Sequence, residues 1–579
     1  MNLNLSILKK IYKLLSKKQT ISFLILLFIL LVGSMLEIVG ISSIPIFISL
    51  LLDPETIIDK LSYINFLYIE EIENISTDKL IFLSSILIII FFILKNLFLT
   101  FAIYYQGSFV RDIKIELSKK IFESYLSANY LFFLSRNSSI IIRTIIVDIG
   151  NSTIFILNII NLLREILVLV AIICLLLIVN LEVAVGLFLF FSIFTFIYYL
   201  LTQKKLYSRS KIIQILSSSL LKTVNETIGS IKEIILLNAR KKQFEEFTNN
   251  ISKSEKLTLI NYIIKSLPRY FLEFLIVSVM MLIISIYILQ GQVINEIIPF
   301  LSLIVISALR LVPSFNSISN ALSVQKTTLP HLNHMFEEFS ILKKINQKKI
   351  KKKIELKKSI KLKKINFSYP HTKNKILKNF NIEIQKGQKI GIIGKSGTGK
   401  STLLNIILGL IKPTKGNIHI DDKIINFNNS YWGDTVGYVP QDIYLLDNTI
   451  KNNITFGINE NDIDKKLLID VCKRAQIYDY ISHLPKKFET YVGENGHNLS
   501  VGQKQRLGIA RILYRKPKII VLDEATSSLD YQNEKKFVDG IFKFNPDLTI
   551  IFVSHKISAL KKCEMIYDLN KLKYIKRKK

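Results

Sequence analysis

The sequence predicts an α-helical membrane region of six spans followed by an α/β domain built on a phosphate-binding loop. Three observations carry that expectation. Half of the 579 residues are hydrophobic although the formal net charge is +32, a pairing that a single soluble domain does not produce. The long apolar runs all fall before residue 320. A glycine-rich run, Gly394 to Ser401, follows a short β-rich run in the last third. The chain also exceeds the size at which one hydrophobic core keeps growing. Residues 1–335 are assigned to the helical region with its two long cytoplasmic loops, 336–355 to a lysine-rich linker and 356–579 to the α/β domain.

A bilayer core takes about 20 apolar residues of helix. Six stretches qualify: 21–48, 80–106, 154–179, 181–202, 269–290 and 294–316. The third and fourth are parted only by Asn180 and read as a hairpin turning outside the membrane. Buried helices of a soluble core do not repeat runs this long with so few charges. The first run is too long for a cleavable signal and lacks a small-residue cleavage site, so it is expected to stay.

Orientation follows from the basic residues. Lys9, Lys10, Lys13, Lys17 and Lys18 precede the first span, and Arg111, Lys114, Lys119, Lys120, Arg136 and Arg143 fall in 107–153. The loop after the first span is acidic instead, with Asp53, Glu55, Asp59, Glu70, Glu71, Glu73 and Asp78. Excess Lys and Arg stays inside, which makes both termini and the loops 107–153 and 203–268 cytoplasmic in a multi-pass protein. Apolar residues recur at helical spacing in 111–126 and 211–237. Each pair of extended helices is expected to meet in a short turn helix, near 128–138 and 222–232, that docks on the α/β domain.

Twelve lysines lie between Lys343 and Lys364, among them Lys348, Lys349, Lys351, Lys352 and Lys353. They read as a solvated face leaning on anionic lipid heads. Because the basic residues flank spans, membrane lipid is the expected partner and nucleic acid is not. Cys174, Cys472 and Cys563 are far apart and form no metal-ligand spacing, which suits a reducing cytoplasm. Abundant Lys, Ile and Asn point to an AT-rich bacterial genome, hence to a bacterial inner membrane.

The apolar run Lys389-Ile390-Gly391-Ile392-Ile393 leads into Gly394-Lys395-Ser396-Gly397-Thr398-Gly399-Lys400-Ser401, with Thr402 after it. This is a phosphate-binding loop between a strand and a helix. Its glycines let backbone N–H groups close around phosphate oxygens at a helix N-terminus. Lys400 would reach the β- and γ-phosphates, and Ser401 would ligate Mg²⁺. A second run, Ile519-Ile520-Val521-Leu522, is a buried strand ending in Asp523-Glu524. Asp523 would hold Mg²⁺, and Glu524 would orient and polarise the attacking water.

Further stretches flank these two: Phe367-Ser368-Tyr369-Pro370, Val439-Pro440-Gln441-Asp442, Leu499-Ser500-Val501-Gly502-Gln503, Ser528-Leu529-Asp530 and Val553-Ser554-His555. In this order, with the loop and the acids, they resemble the ABC transporter ATPase family. With the six spans, the whole chain resembles that family's exporter-type half-transporters. The resemblance implies a transport-coupled ATP hydrolase using ATP and Mg²⁺. It implies that Tyr369 stacks on adenine and that Gln441 senses metal and water. It also implies that His555 contacts the γ-phosphate, that Asp530 lies on a loop crossing a dimer interface, and that Ser500, Gly502 and Gln503 belong to the signature. Val501 stands where the signature's first glycine is expected; a β-branched residue restricts the backbone there, so slower turnover is expected. In this family the signature of one domain completes the ATP site of another. One loop and one signature per chain therefore imply a homodimer, with a heterodimer as the alternative.

Charges inside spans usually face a cavity or a partner. Lys95 and Arg310 each lie about 15 residues into spans entered from outside, and at about 1.5 Å per residue both reach the inner half. Arg269 is near the inner end of the fifth span, four residues from Glu273, while Glu37 lies in the outer half of the first. The three cations are expected to line a cavity for an anionic head group, each having an ion pair as its alternative role. The stretches Leu36-Glu37-Ile38, Lys95 (where the branch carries arginine), Pro268-Arg269-Tyr270 and Leu309-Arg310-Leu311-Val312-Pro313-Ser314 resemble bacterial flippases of lipid-linked oligosaccharides. The loop 53–79 fits too, since those flippases place a short tail-binding helix there. The implied substrate is a polyprenyl-pyrophosphate-linked oligosaccharide. A lipid or drug exporter is the alternative, and a peptide exporter fits less well because only about 20 residues precede the first span.

Overall fold

The computed structural model describes residues 16–52, 77–179, 181–289, 294–345, 352–370, 372, 374–427, 430–525, 531–542, 545, 547–555 and 559–575. The loop 53–76, the linker lysines Lys348, Lys349 and Lys351, and Asp530 lie outside the described residues. The chain divides into two compact units, residues 1–128 with 135–346, and 129–134 with 347–579.

The first unit is helical. Its elements are α1 (Lys17–Leu52), α2 (Thr77–Leu126), α4 (Ser138–Arg143), a π-helical turn (Thr144–Asp148), α5 (Ile149–Val179), α6 (Leu181–Gly229), α7 (Ile231–Leu236), α8 (Arg240–Leu289) and α9 (Ile294–Ile345). Among the described residues, Lys17–Leu52, Thr77–Leu126 and Ser138–Leu177 are long and apolar enough to cross a membrane. The helices α6, α8 and α9 cover the other three expected spans. Ser16 opens α1 with a reciprocal cap: its N–H donates to Gln19 Oε1 at 2.9 Å, and its hydroxyl accepts from the Gln19 N–H at 3.3 Å. Along the spans, large apolar side chains such as Phe28, Phe82, Leu87, Leu94 and Leu97 are exposed, as lipid-facing residues are and soluble-core residues are not. Inside, Ile41, Val168, Ile172, Leu176, Leu311 and Phe315 form one cluster that ties α1, α5 and α9 together.

Both turn helices are present. The first, α3 (Tyr130–Leu134), groups with the second unit, and its Leu131 packs against that unit's core. The second, α7, starts a few residues later than the sequence pattern places it, because α6 keeps its helical apolar spacing through Ile228 and breaks only at Gly229. Its Ile231, Ile235, Leu236 and the following Leu237 are exposed.

The second unit is α/β. Its larger sheet has the order β12–β11–β4–β10–β9–β8, where β4 is Lys389–Ile393, β8 is Val436–Val439, β9 is Ile519–Asp523, β10 is Thr549–Val553, β11 is Met565–Asp568 and β12 is Lys573–Ile575. All its pairings are parallel except that of the edge strand β12. Strands β9 and β10 are buried along their whole length, as expected of β-branched runs covered on both faces. A smaller antiparallel sheet has the order β3–β2–β5–β6, from Leu377–Gln385, Ser359–Phe367, Lys415–Ile420 and Lys423–Ile424. Two short strands, β1 (Lys352–Lys353) and β7 (Ser430–Tyr431), pair alongside. Helix α10 (Lys400–Ile407) follows β4. Three short helices, α11 (Ile450–Ile454), α12 (Lys465–Arg474) and α13 (Tyr478–His483), share a core with α14 (Val501–Tyr514), and α15 (Tyr531–Phe542) follows β9.

Candidate ATPase site

The loop 394–399 leaves the C-terminal end of β4, beside β10, and hands the chain to α10. Its shape depends on left-handed backbone at Gly397 (φ +81°) and Gly399 (φ +91°). At Gly399 an added Cβ would also come within 2.7 Å of Ile376. Lys400 is buried, and its Nζ donates to the carbonyls of Gly394 (2.9 Å) and Lys395 (3.2 Å). The ammonium thus sits at the mouth of the loop, held by acceptors that a phosphate oxygen can replace. Ser401 is exposed on the first turn of α10, and Thr402 is buried with its hydroxyl 3.3 Å from that of Tyr369. Tyr369 packs edge-on against Phe367, with ring centroids 5.0 Å apart.

Strand β9 delivers the two acids. Asp523 is buried and receives a hydrogen bond from the Tyr438 hydroxyl at 3.3 Å. Burial raises its pKa, and that hydrogen bond and Lys400 offset the rise only in part. Glu524 turns out of the strand with φ +51°, while its N–H bonds to the Val553 carbonyl at 3.0 Å and so fixes the turn to β10. Its Oε1 is 2.8 Å from His555 Nε2, and the same nitrogen is 3.1 Å from Lys400 Nζ. One ring nitrogen serves only one of these at a time: protonated, it donates to Glu524; unprotonated, it accepts from Lys400. The structure therefore brings Lys400, Glu524, His555 and Asp523 to one end of β4, β9 and β10.

The remaining expected residues fall elsewhere. Gln441 is exposed just after β8. Ser500 is the N-cap of α14: its hydroxyl accepts from the Gln503 N–H at 3.3 Å, and Gln503 Oε1 accepts from the Ser500 N–H at 2.8 Å. Among the described residues, no hydrogen bond joins Ser500, Gly502 or Gln503 to the phosphate loop. Asp530 lies outside the described residues. Tyr438 was not foreseen; the signal was a polar-tipped aromatic on the strand beside β9.

Oxygen donors suit Mg²⁺. The buried Asp523 carboxylate, whose charge burial disfavours, suits that ion, and Ser401 and Gln441 are the other oxygen donors expected to hold it.

In the membrane region, Lys95 lies against Gly40 of α1, with Nζ 3.1 Å from where a Cβ would stand and 4.1 Å from the Phe92 ring centroid. Arg269 pairs with Glu273 at 3.1 Å on an exposed face. Arg310 is on α9, and its side chain falls outside the described ones. Sequence reasoning passed over Arg164 and Glu165, which pair at 2.7 Å within α5; two adjacent charges inside an apolar run were the available signal. A cavity of about 40 Å³ between α1, α2 and α5 is lined by Ser34, Glu37, Gln106 and Arg164, among others.

Residues 377–527 match the family model described as ABC transporter. That match falls within the second unit, and the fold resembles that of an ABC exporter. The structure of a bacterial Atm1-family ABC exporter with ATP bound superposes with a TM-score of 0.69, covering 90% of this chain and 92% of that one at 21% identity. Mouse ATP-binding cassette sub-family B member 5 is 38% identical over 213 residues, which is 36% of this chain and 17% of that protein. The Lactococcus lactis protein named lactococcin-G-processing and transport ATP-binding protein LagD is 39% identical over 214 residues, 37% of this chain and 30% of that protein. The aligned stretches thus span less than a third of these relatives.

Proposed function

We propose that this chain is half of an ATP-driven exporter that works as a homodimer in a bacterial inner membrane, with both termini and the ATPase domain cytoplasmic. The observation that carries this is the cluster of Lys400, Glu524, His555 and Asp523 in a chain whose described residues also hold six long helices, three of them long and apolar enough to cross a membrane. In hydrolysis, Lys400 leaves the loop carbonyls for the phosphate oxygens, and Glu524 holds the attacking water and takes its proton. His555, released from Glu524, donates to the γ-phosphate. Asp523, Ser401 and Gln441 would hold Mg²⁺, which would supply charge neutralisation on the transferring phosphoryl group. The signature, which among the described residues makes no hydrogen bond to the phosphate loop of its own chain, completes the site of a second copy. The exposed apolar side chains of α7 supply a surface for that copy.

The cargo we infer is a lipid-linked anionic substrate, most of all a polyprenyl-pyrophosphate-linked oligosaccharide, recognised by Lys95, Arg269 and Arg310. Arg269 supports this reading because its side chain, though paired, is 62% exposed and so open to a phosphate. The second reading is a lipid or drug exporter, favoured by relatives such as the ABC multidrug transporter mdr1 of Aspergillus fumigatus. The name of LagD brings in peptide export as a third. Translocation of a labelled lipid-linked oligosaccharide in proteoliposomes, with ATPase activity recorded alongside, separates them. Substituting alanine at Lys95, Arg269 and Arg310 together should cut flipping while leaving basal hydrolysis intact, since charge-assisted bonds to phosphate are about twice as strong as neutral ones. Unchanged flipping would return these residues to structural ion pairing.

A further inference from the structure

Among the described residues, the largest set of buried charged groups outside the ATPase site lies in the first unit, in the cytoplasmic extensions of its helices. Asp148, the last residue of the π-helical turn, is fully buried. Its Oδ1 lies 2.6 Å from His331 Nδ1 and 3.2 Å from the Gln214 amide, which donates to it. Its Oδ2 lies 2.9 Å from His334 Nδ1 and 3.2 Å from Arg143 Nε. Arg143 also donates to the Ser218 hydroxyl. One turn beyond His334 on α9, Glu338 is buried, pairs with Arg136 and accepts from the Tyr125 hydroxyl at 3.0 Å. His334 spans the two carboxylates, with its Nε2 4.0 Å from Glu338 Oε1. His331, His334 and Glu338 stand at i, i+3 and i+7, on one face of the helix.

The placement of these groups along the chain gives the cluster its meaning. Tyr125 is in the last turn of α2, and Arg136 lies between α3 and α4. They therefore flank α3, the turn helix whose Leu131 packs into the ATPase domain's core, and both are tied to the same carboxylate. Asp148 immediately precedes α5, which becomes the third span. Burial works against the charge on Asp148, yet the hydrogen bond with His331, the His334 ring close by and the charge of Arg143 hold its carboxyl well below the usual range. Buried charges break even only when fully paired, and a π-turn, with its energetic disadvantage, often marks a functional position.

We propose that Glu338 and Asp148 are positioning residues for coupling. They lock both ends of the α3 connection and the start of α5 onto α9, so that displacement of α3 moves these helices together and is not absorbed in the connecting turns. The proposal rests on the exporter reading above.

The test uses the full-length protein with Cys174→Ser, because Cys174 is the exposed one of the three cysteines. A reporter cysteine is placed at Lys79 or at Leu181, both exposed at the outer ends of their helices. Labelling by a water-soluble maleimide is compared without nucleotide and after trapping with ATP and vanadate, alongside kcat and KM for ATP. In the parent protein, trapping should change the labelling rate at least about threefold at one position. Glu338→Gln should abolish most of that change while kcat and KM stay within about twofold, the pattern of lost coupling with ATP binding and chemistry intact. The charge-exchanged pair Arg136→Glu with Glu338→Arg should restore it. Should Glu338→Gln fail to fold, Tyr125→Phe removes a single donor and should reduce the change in the same direction. A full conformational response in Glu338→Gln or Tyr125→Phe overturns the proposal and leaves the exporter reading standing. So does loss of folding and activity in parallel with no rescue by charge exchange. No response to nucleotide in the parent at either position overturns the exporter reading, and the proposal with it.

Discussion

Replacing Glu524 by glutamine separates chemistry from structure, because the two effects differ greatly in size. The side chain keeps its length, and its backbone keeps the same left-handed conformation and the same N–H bond to Val553. What is lost in the fold is the contact with His555, whose side chain is 49% exposed. A pair so open to water is worth at most about 1 kcal/mol, which is roughly 2–4 °C in the melting midpoint of a domain this size. What is lost in the reaction is the group that takes the water's proton, worth about 10²–10⁴ in rate, or about 3–5 kcal/mol of barrier at 1.36 kcal/mol per decade. Phosphate release by the purified protein gives kcat, equilibrium binding of a fluorescent ATP analogue gives the affinity, and circular dichroism gives the midpoint. We expect kcat to fall at least about a hundredfold with affinity and midpoint nearly unchanged, and ATP to trap a dimer. Hydrolysis within about threefold of the parent would refute the assignment of the base, since no positioned base is worth so little.

Two further outcomes follow from the same geometry. Mixed dimers with Lys400→Ala in one chain and Ser500→Ala in the other concentrate both lesions in one site, whereas placing both in one chain damages both sites. If sites form between chains, the first mixture should retain more ATPase activity, and identical activities would refute that arrangement. The Asp148 carboxyl is depressed in the folded state, so its stabilisation is present above the unfolded pKa of about 4 and is lost as pH falls through that value toward the folded one. The melting midpoint should therefore drop below about pH 4, and Asp148→Asn should flatten that drop while costing about 3–5 kcal/mol at neutral pH. A pH profile equally steep in the variant would show that other carboxylates carry the acid sensitivity.

What the sequence revealed, and what it hid, divides along the range of the interactions. The spans follow from apolar runs as long as a bilayer is thick, and the phosphate loop from glycines set at fixed spacing before a lysine; both are local. The cap at Ser500 was equally legible, since Ser500 and Gln503 have the spacing of a reciprocal cap. The Asp148–Glu338 cluster was not. The spacing of His331, His334 and Glu338 on one helical face was visible, but their partner lies 183 residues from His331. That partner reaches them through a π-turn that shifts the helical register, and no periodicity announces such a turn.

Val501 shows how a motif position can look more constrained than it is. Gly397 and Gly399 occupy left-handed conformations, and at Gly399 a side chain would collide with Ile376. Val501, by contrast, is the first residue of α14 after the Ser500 cap and is exposed. An L-residue reaches that helical backbone without strain, and a β-branched side chain loses only a few tenths of a kcal/mol of helix propensity. The restriction expected from the sequence therefore has no basis in the backbone of the isolated chain. Any cost of Val501 must arise where its exposed side chain meets another surface, which in the proposed dimer is the nucleotide of the second copy.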